Sequence, residues 1–171
     1  MTKINSIFIV DDDPITVYGI KKILKSVCDN NKIAEFQNGE RAIDHVRKMI
    51  LENQELPDII FLDINMPIMD GWEFLEEFIK LPIPKAVNIN IVTSSIDQND
   101  KDKSDNFKSM THHPIVFNSK PIRREEIEEI TRVLSTQSIA FYLTLIYWKL
   151  RNYPSDEISY KGNSKFLGLP Y

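Results

Sequence analysis

Acids, a hydroxyl and a lysine occur in this sequence at places where apolar runs end. Three consecutive acids, 11–13, follow one such run, and a single acid, Asp63, follows the run IIFL. Thr93 ends a third apolar segment, and Lys120 lies just after a fourth. Carboxylates that are brought together raise each other's pKa, and a divalent cation relieves their repulsion. Because these candidate ligands offer only oxygen atoms, they suit a hard ion such as Mg2+.

The same residue types can carry out phosphoryl transfer. A carboxylate can act as a nucleophile and form an acyl phosphate, and Asp63, which stands alone, is the best candidate for that role. The transfer needs in-line positioning and charge neutralisation, which a metal, Lys120 and the Thr93 hydroxyl can supply. Asp11 and Asp12 would hold the metal. Each residue alone has an ordinary role in a cap, a turn or a solvated loop, and only their joint occurrence favours a site.

Five strand patterns alternate with helix patterns as far as about residue 136. The strands are predicted at 4–10, 32–36, 59–62, 86–93 and 115–117, Asp70 is expected to cap the third helix, and Leu134 is expected to lie in the fifth helix. The fourth helix, in the very polar segment after Thr93, is expected to be short and weakly packed, with frayed ends. This alternation predicts a doubly wound α/β fold, with a five-stranded parallel sheet and helices on both faces. Since ligands bind such sheets beyond the carboxyl ends of the strands, the site residues are expected to meet at one edge.

Composition excludes several other classes of protein. The chain has 171 residues, which indicates one domain with a possible appendage. Its net charge of -4 gives no reason to expect nucleic-acid binding. A single cysteine excludes an internal disulfide and fits a reducing compartment. No secretory signal is evident, and the longest apolar run is short of the ~20 residues of a spanning helix, so we expect a cytoplasmic protein without membrane insertion.

Four blocks of the sequence resemble the signature blocks of two-component response-regulator receiver domains. These blocks are FIVDDDP, DIIFLDINMPIMDGWEFL, NINIVTSS and FNSKPI. The resemblance covers roughly residues 4–136, in order and at ordinary spacing. It implies a flavodoxin-like fold with strand order 2-1-3-4-5, as in the chemotaxis receiver. It also implies a receiver domain over 1–136, followed by a C-terminal extension over 137–171.

The resemblance implies a Mg2+ site around the phosphoryl acceptor. Asp63 resembles the aspartate that accepts the phosphoryl group. Asp11 and Asp12 resemble the acidic pair, with Asp12 the direct metal ligand and Asp11 acting through water. The backbone carbonyl of Asn65 resembles a further metal ligand, whereas Asp13 lies outside the pair and is assigned to a helix cap.

The resemblance also implies a switch. Thr93 resembles the hydroxyl that moves to bond the phosphoryl group, and Lys120 resembles the lysine that pairs with a phosphoryl oxygen. The bond between Lys120 and Pro121 is expected to be cis, as in the family. Phe117 resembles the switch aromatic, although a phenylalanine can bury its ring without offering a hydroxyl. The surface that responds is expected on the fourth helix, fifth strand and fifth helix.

The implied function is phosphorelay signal transduction rather than conventional enzymatic activity. A sensor histidine kinase or a histidine phosphotransfer protein would supply the phosphoryl group, and the domain would catalyse its own phosphorylation and dephosphorylation. The downstream partner would be a protein that the sequence does not identify. Only about 35 residues follow the fifth helix, too few for a DNA-binding output domain, so a stand-alone receiver is expected.

Two other functional classes stay open. A phosphatase of the haloacid-dehalogenase type also uses an aspartate nucleophile at a strand end, but that family has a second acid two residues later, where this chain has Asn65. A degenerate receiver that binds partners without being phosphorylated is the second alternative.

The C-terminal extension and a pair of adjacent histidines also lead to predictions. The extension over 137–171 is expected to begin with a helix and continue irregularly; it either docks on the receiver or a partner, or has no role. The adjacent histidines His112 and His113 lack metal-ligand partners at useful spacing and are predicted to be surface residues.

Overall fold

The computed structural model describes residues 4–28 and 32–132, in which strands and helices alternate as predicted. The strands are β1 Ser6–Val10, β2 Lys32–Phe36, β3 Ile59–Leu62, β4 Asn88–Thr93 and β5 Ile115–Ser119. The helices are α1 Pro14–Val27, α2 Gly39–Leu51, α3 Gly71–Phe78, α4 Gln98–Met110 and α5, described over 124–132. All five strands are parallel and lie in the order β2-β1-β3-β4-β5, which confirms the doubly wound fold.

Both faces of the sheet are buried, which explains why the central strands are apolar throughout. In β1, Phe8 and Val10 pack into a core cluster with side chains of α2 and α3. Ile7 and Ile9 point to the opposite face and pack with side chains of α1 and α5. Burying one such side chain contributes about 1.5–3 kcal/mol, so the apolar runs hold the central strands in register. The edge strand β2 has no fully buried residue, as its alternating pattern predicted.

Side-chain caps determine where helices begin beside the carboxyl edge of the sheet. Asp13 caps α1 by accepting hydrogen bonds from the backbone N–H groups of Ile15 and Thr16, at 3.0 and 3.2 Å. Asp70 and Glu73 form a capping box at α3, in which each carboxylate accepts from the other residue's N–H, at 2.8 and 2.9 Å. These N–H groups have no partner within the helix, so the caps stabilise both starts. Both predicted caps are confirmed.

Helix α4 differs from the prediction in length. It has 13 residues and is therefore not short, and Asp97 caps its first turn. The predicted sparse packing is found, because only Ser104 and Phe107 of this helix are buried. The length was underestimated because the helix is anchored by contacts with distant residues, which are described below, and not by an apolar face of its own.

His113 is buried, so its prediction as a surface residue is wrong. The side chain is 3% exposed, and its Nδ1 accepts a hydrogen bond from the backbone N–H of Val87 at 3.2 Å. Its ring centroid lies 5.2 Å from that of Phe78. The imidazole therefore fills core space and also satisfies a backbone amide that would otherwise lack a partner. His112 is exposed, as predicted.

Some predictions fall outside the described residues. Leu134, predicted in the fifth helix, and the whole extension over 137–171 lie there. Among residues 4–28 and 32–132, every helix is too short or too polar to cross a membrane.

Candidate functional site

The candidate site forms where the hydrogen-bond ladder of the sheet runs one residue past the strands. The N–H of Asp11 donates to a carbonyl of β2, and the N–H of Asp63 donates to a carbonyl of β1, both at 2.9 Å. The N–H of Lys120 donates to the carbonyl of Thr93 at 2.8 Å. This last bond exists because β5 continues to Ser119, two residues past its predicted end. The sheet therefore fixes the backbone of these four site residues.

Lys120 joins two acids of the site. Its Nζ lies 2.8 Å from Oδ2 of Asp11 and 2.6 Å from Oδ2 of Asp63. Asp11 and Asp63 are 3% and 5% exposed, so the ammonium bridges two carboxylates that are almost removed from water and offsets one of their two charges. The peptide bond between Lys120 and Pro121 is cis, as expected.

Burial and pairing act in opposite directions on the pKa values of this group. Burial raises the pKa of Asp11 above its ordinary value, and the hydrogen bonds from Lys120 and from the Asp13 N–H only partly offset that effect. Burial tends to lower the pKa of Lys120, but its bonds to Asp11 and Asp63 outweigh this effect and raise that pKa. Lys120 is therefore protonated at neutral pH and stays available to balance negative charge.

Three carboxylates converge in a way that fits a hard divalent cation. Oxygen atoms of Asp11, Asp12 and Asp63 all lie within 4.8 Å of one another, and Asp12 faces solvent. Asp13 is separated from them because its side chain caps α1, while its N–H donates to Asp11 Oδ1 at 2.9 Å. Carboxylate oxygens, with access to water on one side, are the donors that Mg2+ prefers. The acid triplet thus divides into two candidate metal ligands and one cap.

Thr93 is completely buried and lies beside the loop that follows Asp63. Its Oγ1 accepts hydrogen bonds from the Asn65 side-chain amide at 3.3 Å and from the Ser95 N–H at 3.1 Å. The N–H of Asn65 in turn donates to Asp63 Oδ1 at 3.2 Å. The hydroxyl is thus connected to the acceptor candidate through Asn65, whose exposed position places its backbone at the rim of the acidic site.

Phe117 lies apart from the acids. It pairs in register with Ile91 in the middle of β5, and its half-buried ring packs against the core on the α2–α3 side of the sheet. The structure therefore brings the predicted acids, Asn65, Thr93 and Lys120 together, and places the predicted switch aromatic two register positions before the pair of Thr93 and Ser119.

Two residues at the site were not identified as functional from the sequence. Gly71 begins α3, and a Cβ atom placed on it would lie 2.3 Å from the carbonyl oxygen of Asp63. The Asp70-Gly71 pair signals a turn, but not that helix α3 approaches the acceptor this closely. Asp100, on polar helix α4, accepts hydrogen bonds from Ser95 and from Trp72, and no local pattern distinguishes it from the other acids of that helix.

Comparison with known proteins identifies one family. The sequence model described as "Response regulator receiver domain" matches residues 7–132. Among curated proteins, the chain is 30% identical over 130 residues to a protein-glutamate methylesterase/protein-glutamine glutaminase of Methanococcoides burtonii. The aligned region covers 75% of this chain and 33% of that protein. The chain spans only 23% to 40% of the length of the first four curated relatives.

Solved structures share the fold. The phosphorylated cyanobacterial phytochrome response regulator RcpA superposes with a TM-score of 0.61 at 24% identity, over 76% of this chain and 90% of its own. The Mn(2+)-bound form of response regulator Rcp1 superposes with a TM-score of 0.60 at 21% identity, over 77% of this chain and 92% of its own.

Proposed function

The chain belongs to the response regulator receiver domain family, and on that premise we propose that it accepts a phosphoryl group on Asp63 with the aid of Mg2+. Membership implies phosphorelay signalling. The observation that carries the proposal is the position of the Lys120 ammonium, 2.6 Å from an oxygen of Asp63, beside three carboxylates that converge within 4.8 Å. The proposed receiver unit spans residues 1–136, with 137–171 as an extension, and acts in the cytoplasm.

The charges of the site suit a metal and a phosphoryl group together. Lys120 compensates one of the three carboxylates, which leaves two negative charges uncompensated. We assign Asp11, Asp12, Asp63 and the Asn65 backbone carbonyl as the residues that would hold Mg2+. When bound, the ion would neutralise the carboxylates and the oxygens of the incoming group.

The transfer itself requires little covalent chemistry from the protein. A carboxylate oxygen of Asp63 attacks the phosphorus of a phosphohistidine on the donor protein, the phosphorus–nitrogen bond breaks, and the imidazole leaves and regains a proton. Lys120 then pairs with a phosphoryl oxygen, and the Thr93 hydroxyl donates to another. The donor is proposed to be a sensor histidine kinase or a histidine phosphotransfer protein.

Phosphorylation would act as a switch because it adds negative charge and new acceptor oxygens beside Thr93. Movement of Thr93 and the half-buried Phe117 would alter the surface formed by α4, β5 and α5, which a downstream protein would read. The phosphorylated state of RcpA, the relative with the same fold, supports this proposal. The Mn(2+) bound to Rcp1 supports a divalent cation at the acidic site.

The site differs from that of a haloacid-dehalogenase-type phosphatase. Such an enzyme needs a general acid two residues after the nucleophile, and here that residue is Asn65, whose amide donates to Thr93. A carboxamide can neither release a proton to a leaving group nor accept one from an attacking water, so Asn65 cannot perform the acid–base role that such a phosphatase requires.

Incubation with a small acyl phosphate and Mg2+ tests the proposal. Intact-mass measurement should show a gain of about 80 Da that chelation of the metal prevents. Asp63→Asn should abolish the gain, whereas Asp44→Asn, an exposed acid on α2, should leave it unchanged. Hydrolysis of the acyl phosphate without accumulation would indicate a phosphatase, and absence of any reaction would indicate a degenerate receiver. Labelling that persists in Asp63→Asn would refute the assignment of the acceptor.

A further inference from the structure

The carboxylate of Asp100 links helix α4 to two other segments of the chain. Asp100, in the first turn of α4, accepts a hydrogen bond from the Trp72 indole N–H of α3 at 3.3 Å on one oxygen. Its other oxygen accepts a hydrogen bond from the Ser95 hydroxyl. The Trp72 ring stacks on Phe107 of α4 with centroids 5.7 Å apart, and Lys103 Nζ lies 5.1 Å from the Trp72 ring centroid.

The Asp100 contacts continue to the switch hydroxyl. Ser95, which binds Asp100 through its side chain, donates its backbone N–H to Thr93 Oγ1 at 3.1 Å. The segment 93–95 is therefore held at two points, by Thr93 on the site and by Asp100 on α4. A displacement of the Thr93 hydroxyl towards a phosphoryl group on Asp63 must move Ser95 or break one of these bonds.

A purely local role does not explain this arrangement. An acid in the first turn stabilises a helix through the macrodipole alone, without specific partners. Asp102, two residues later in the same helix, has only a local contact among the described residues, because its carboxylate accepts a hydrogen bond from Gln98 of α4. Asp100 instead uses both oxygens on donors from two other segments, and Trp72 is 6% exposed, so the indole bond is sheltered from water.

We propose that Asp100 is a positioning residue that restrains the Thr93–Ser95 segment in the unphosphorylated state. The inference rests on the proposed phosphoryl acceptance at Asp63. A restraint of this kind lowers the population of the competent conformation, and apparent affinity falls by the same factor. By linkage, occupation of the acceptor site weakens the bond from Asp100 to Ser95 and changes the surroundings of Trp72.

Equilibrium binding of beryllium fluoride, a phosphoryl analogue, in the presence of Mg2+ tests the restraint. Asp100→Asn removes the charge and leaves one acceptor for two donors, and Ser95→Ala removes one bond while keeping the backbone N–H. Each variant should bind beryllium fluoride about fivefold more tightly, the factor expected for one charge-assisted, half-exposed hydrogen bond. The double variant should resemble Asp100→Asn, because both changes remove the same link. Asp102→Asn is the matched control and should bind like the unmodified protein.

Tryptophan emission supplies a readout that a purely structural role would not change. The chain has two tryptophans, so Trp148→Phe leaves Trp72 as the single indole. In that background, beryllium fluoride should shift the Trp72 emission, and the shift should be absent when Asp100→Asn is added. Circular dichroism checks that each variant is folded. If Asp100→Asn does not fold, the beryllium fluoride affinity of Ser95→Ala still tests the restraint.

The outcomes separate the two proposals. Failure of beryllium fluoride to bind, or binding that survives Asp63→Asn, would overturn the proposed function and this inference with it. Binding that depends on Asp63 but is equal or weaker in both Asp100→Asn and Ser95→Ala would overturn the restraint alone. An equal Trp72 response with and without Asp100 would also overturn it.

Discussion

Replacement of the buried histidine should remove part of the acid sensitivity of the fold. Burial lowers the pKa of His113 from 6.5 to about 4, with a smaller contribution from the neighbouring His112. The ring is buried, and its Nδ1 already accepts the Val87 N–H, so protonation would break a buried hydrogen bond as well as bury a charge. His113 is therefore neutral in the folded protein across the physiological range.

The sign and size of the effect follow from linkage. Between about pH 6.5 and pH 4 the unfolded chain binds a proton at this histidine and the folded chain does not, so stability falls as pH falls. The difference between the two pKa values corresponds to about 3 kcal/mol once the pH is below 4. Between pH 7.5 and pH 5.5, the loss of unfolding free energy attributable to His113 is about 1.4 kcal/mol.

Urea denaturation at pH 7.5 and pH 5.5 measures this loss. His113→Asn places an amide oxygen near the Val87 N–H and cannot titrate, so its stability should fall by about 1.4 kcal/mol less than that of the unmodified protein over this interval. Titrating acids are common to both proteins and cancel in the comparison. His45→Asn, at an exposed position of α2, is the control and should keep the full loss. Equal losses in the unmodified protein and His113→Asn would refute the buried, neutral state of His113.

Backbone geometry leads to two further predictions, both read from thermal or urea unfolding. Ile68 has a φ of 74° and is 74% exposed, so Ile68→Asn should raise the unfolding free energy by about 1 kcal/mol because asparagine tolerates this conformation better; a lower stability would contradict the strain. Gly71→Ala should cost about 2–3 kcal/mol and impair phosphorylation, since its Cβ would meet the Asp63 carbonyl oxygen at 2.3 Å. Gly19→Ala should instead stabilise by roughly 0.5–1 kcal/mol, because a Cβ atom there would meet no described atom beyond its own stretch of helix within 4 Å. Equal effects at the two glycines would refute the steric argument.

The fold was predictable because local patterns and tertiary packing agree. The run Ile7–Val10 is apolar at every position, as expected for a strand that is covered on both faces. Its alternate residues pack into two separate core clusters. The caps Asp13 and Asp70 were recognisable because a cap depends on residues two or three positions away. The strand order came from the resemblance to receiver domains, since no local pattern determines which strands pair.

Predictions failed where long-range contacts determine the outcome. His113 is buried by Val87 and Phe78, which lie 26 and 35 positions earlier, and nothing in the segment THHP records that contact. The length of α4 was underestimated for a related reason. Its sequence is polar on nearly every side, and its attachment depends on the contacts of Asp100 and Phe107 with Trp72 of another helix.

The same distinction separates the parts of the site that sequence can and cannot predict. Asp11, Asp63 and Lys120 each donate a backbone N–H to a neighbouring strand, so their positions follow once the strands are located. Asp100 lies on helix α4, and the direction of its side chain depends on how that helix packs against the rest of the domain. Listing the residues that follow each strand therefore finds groups that could receive a phosphoryl group, but not a group that restrains them. If Asp100 proves to set the affinity for a phosphoryl analogue, receivers with the same strand-end residues can differ in response through their helices alone.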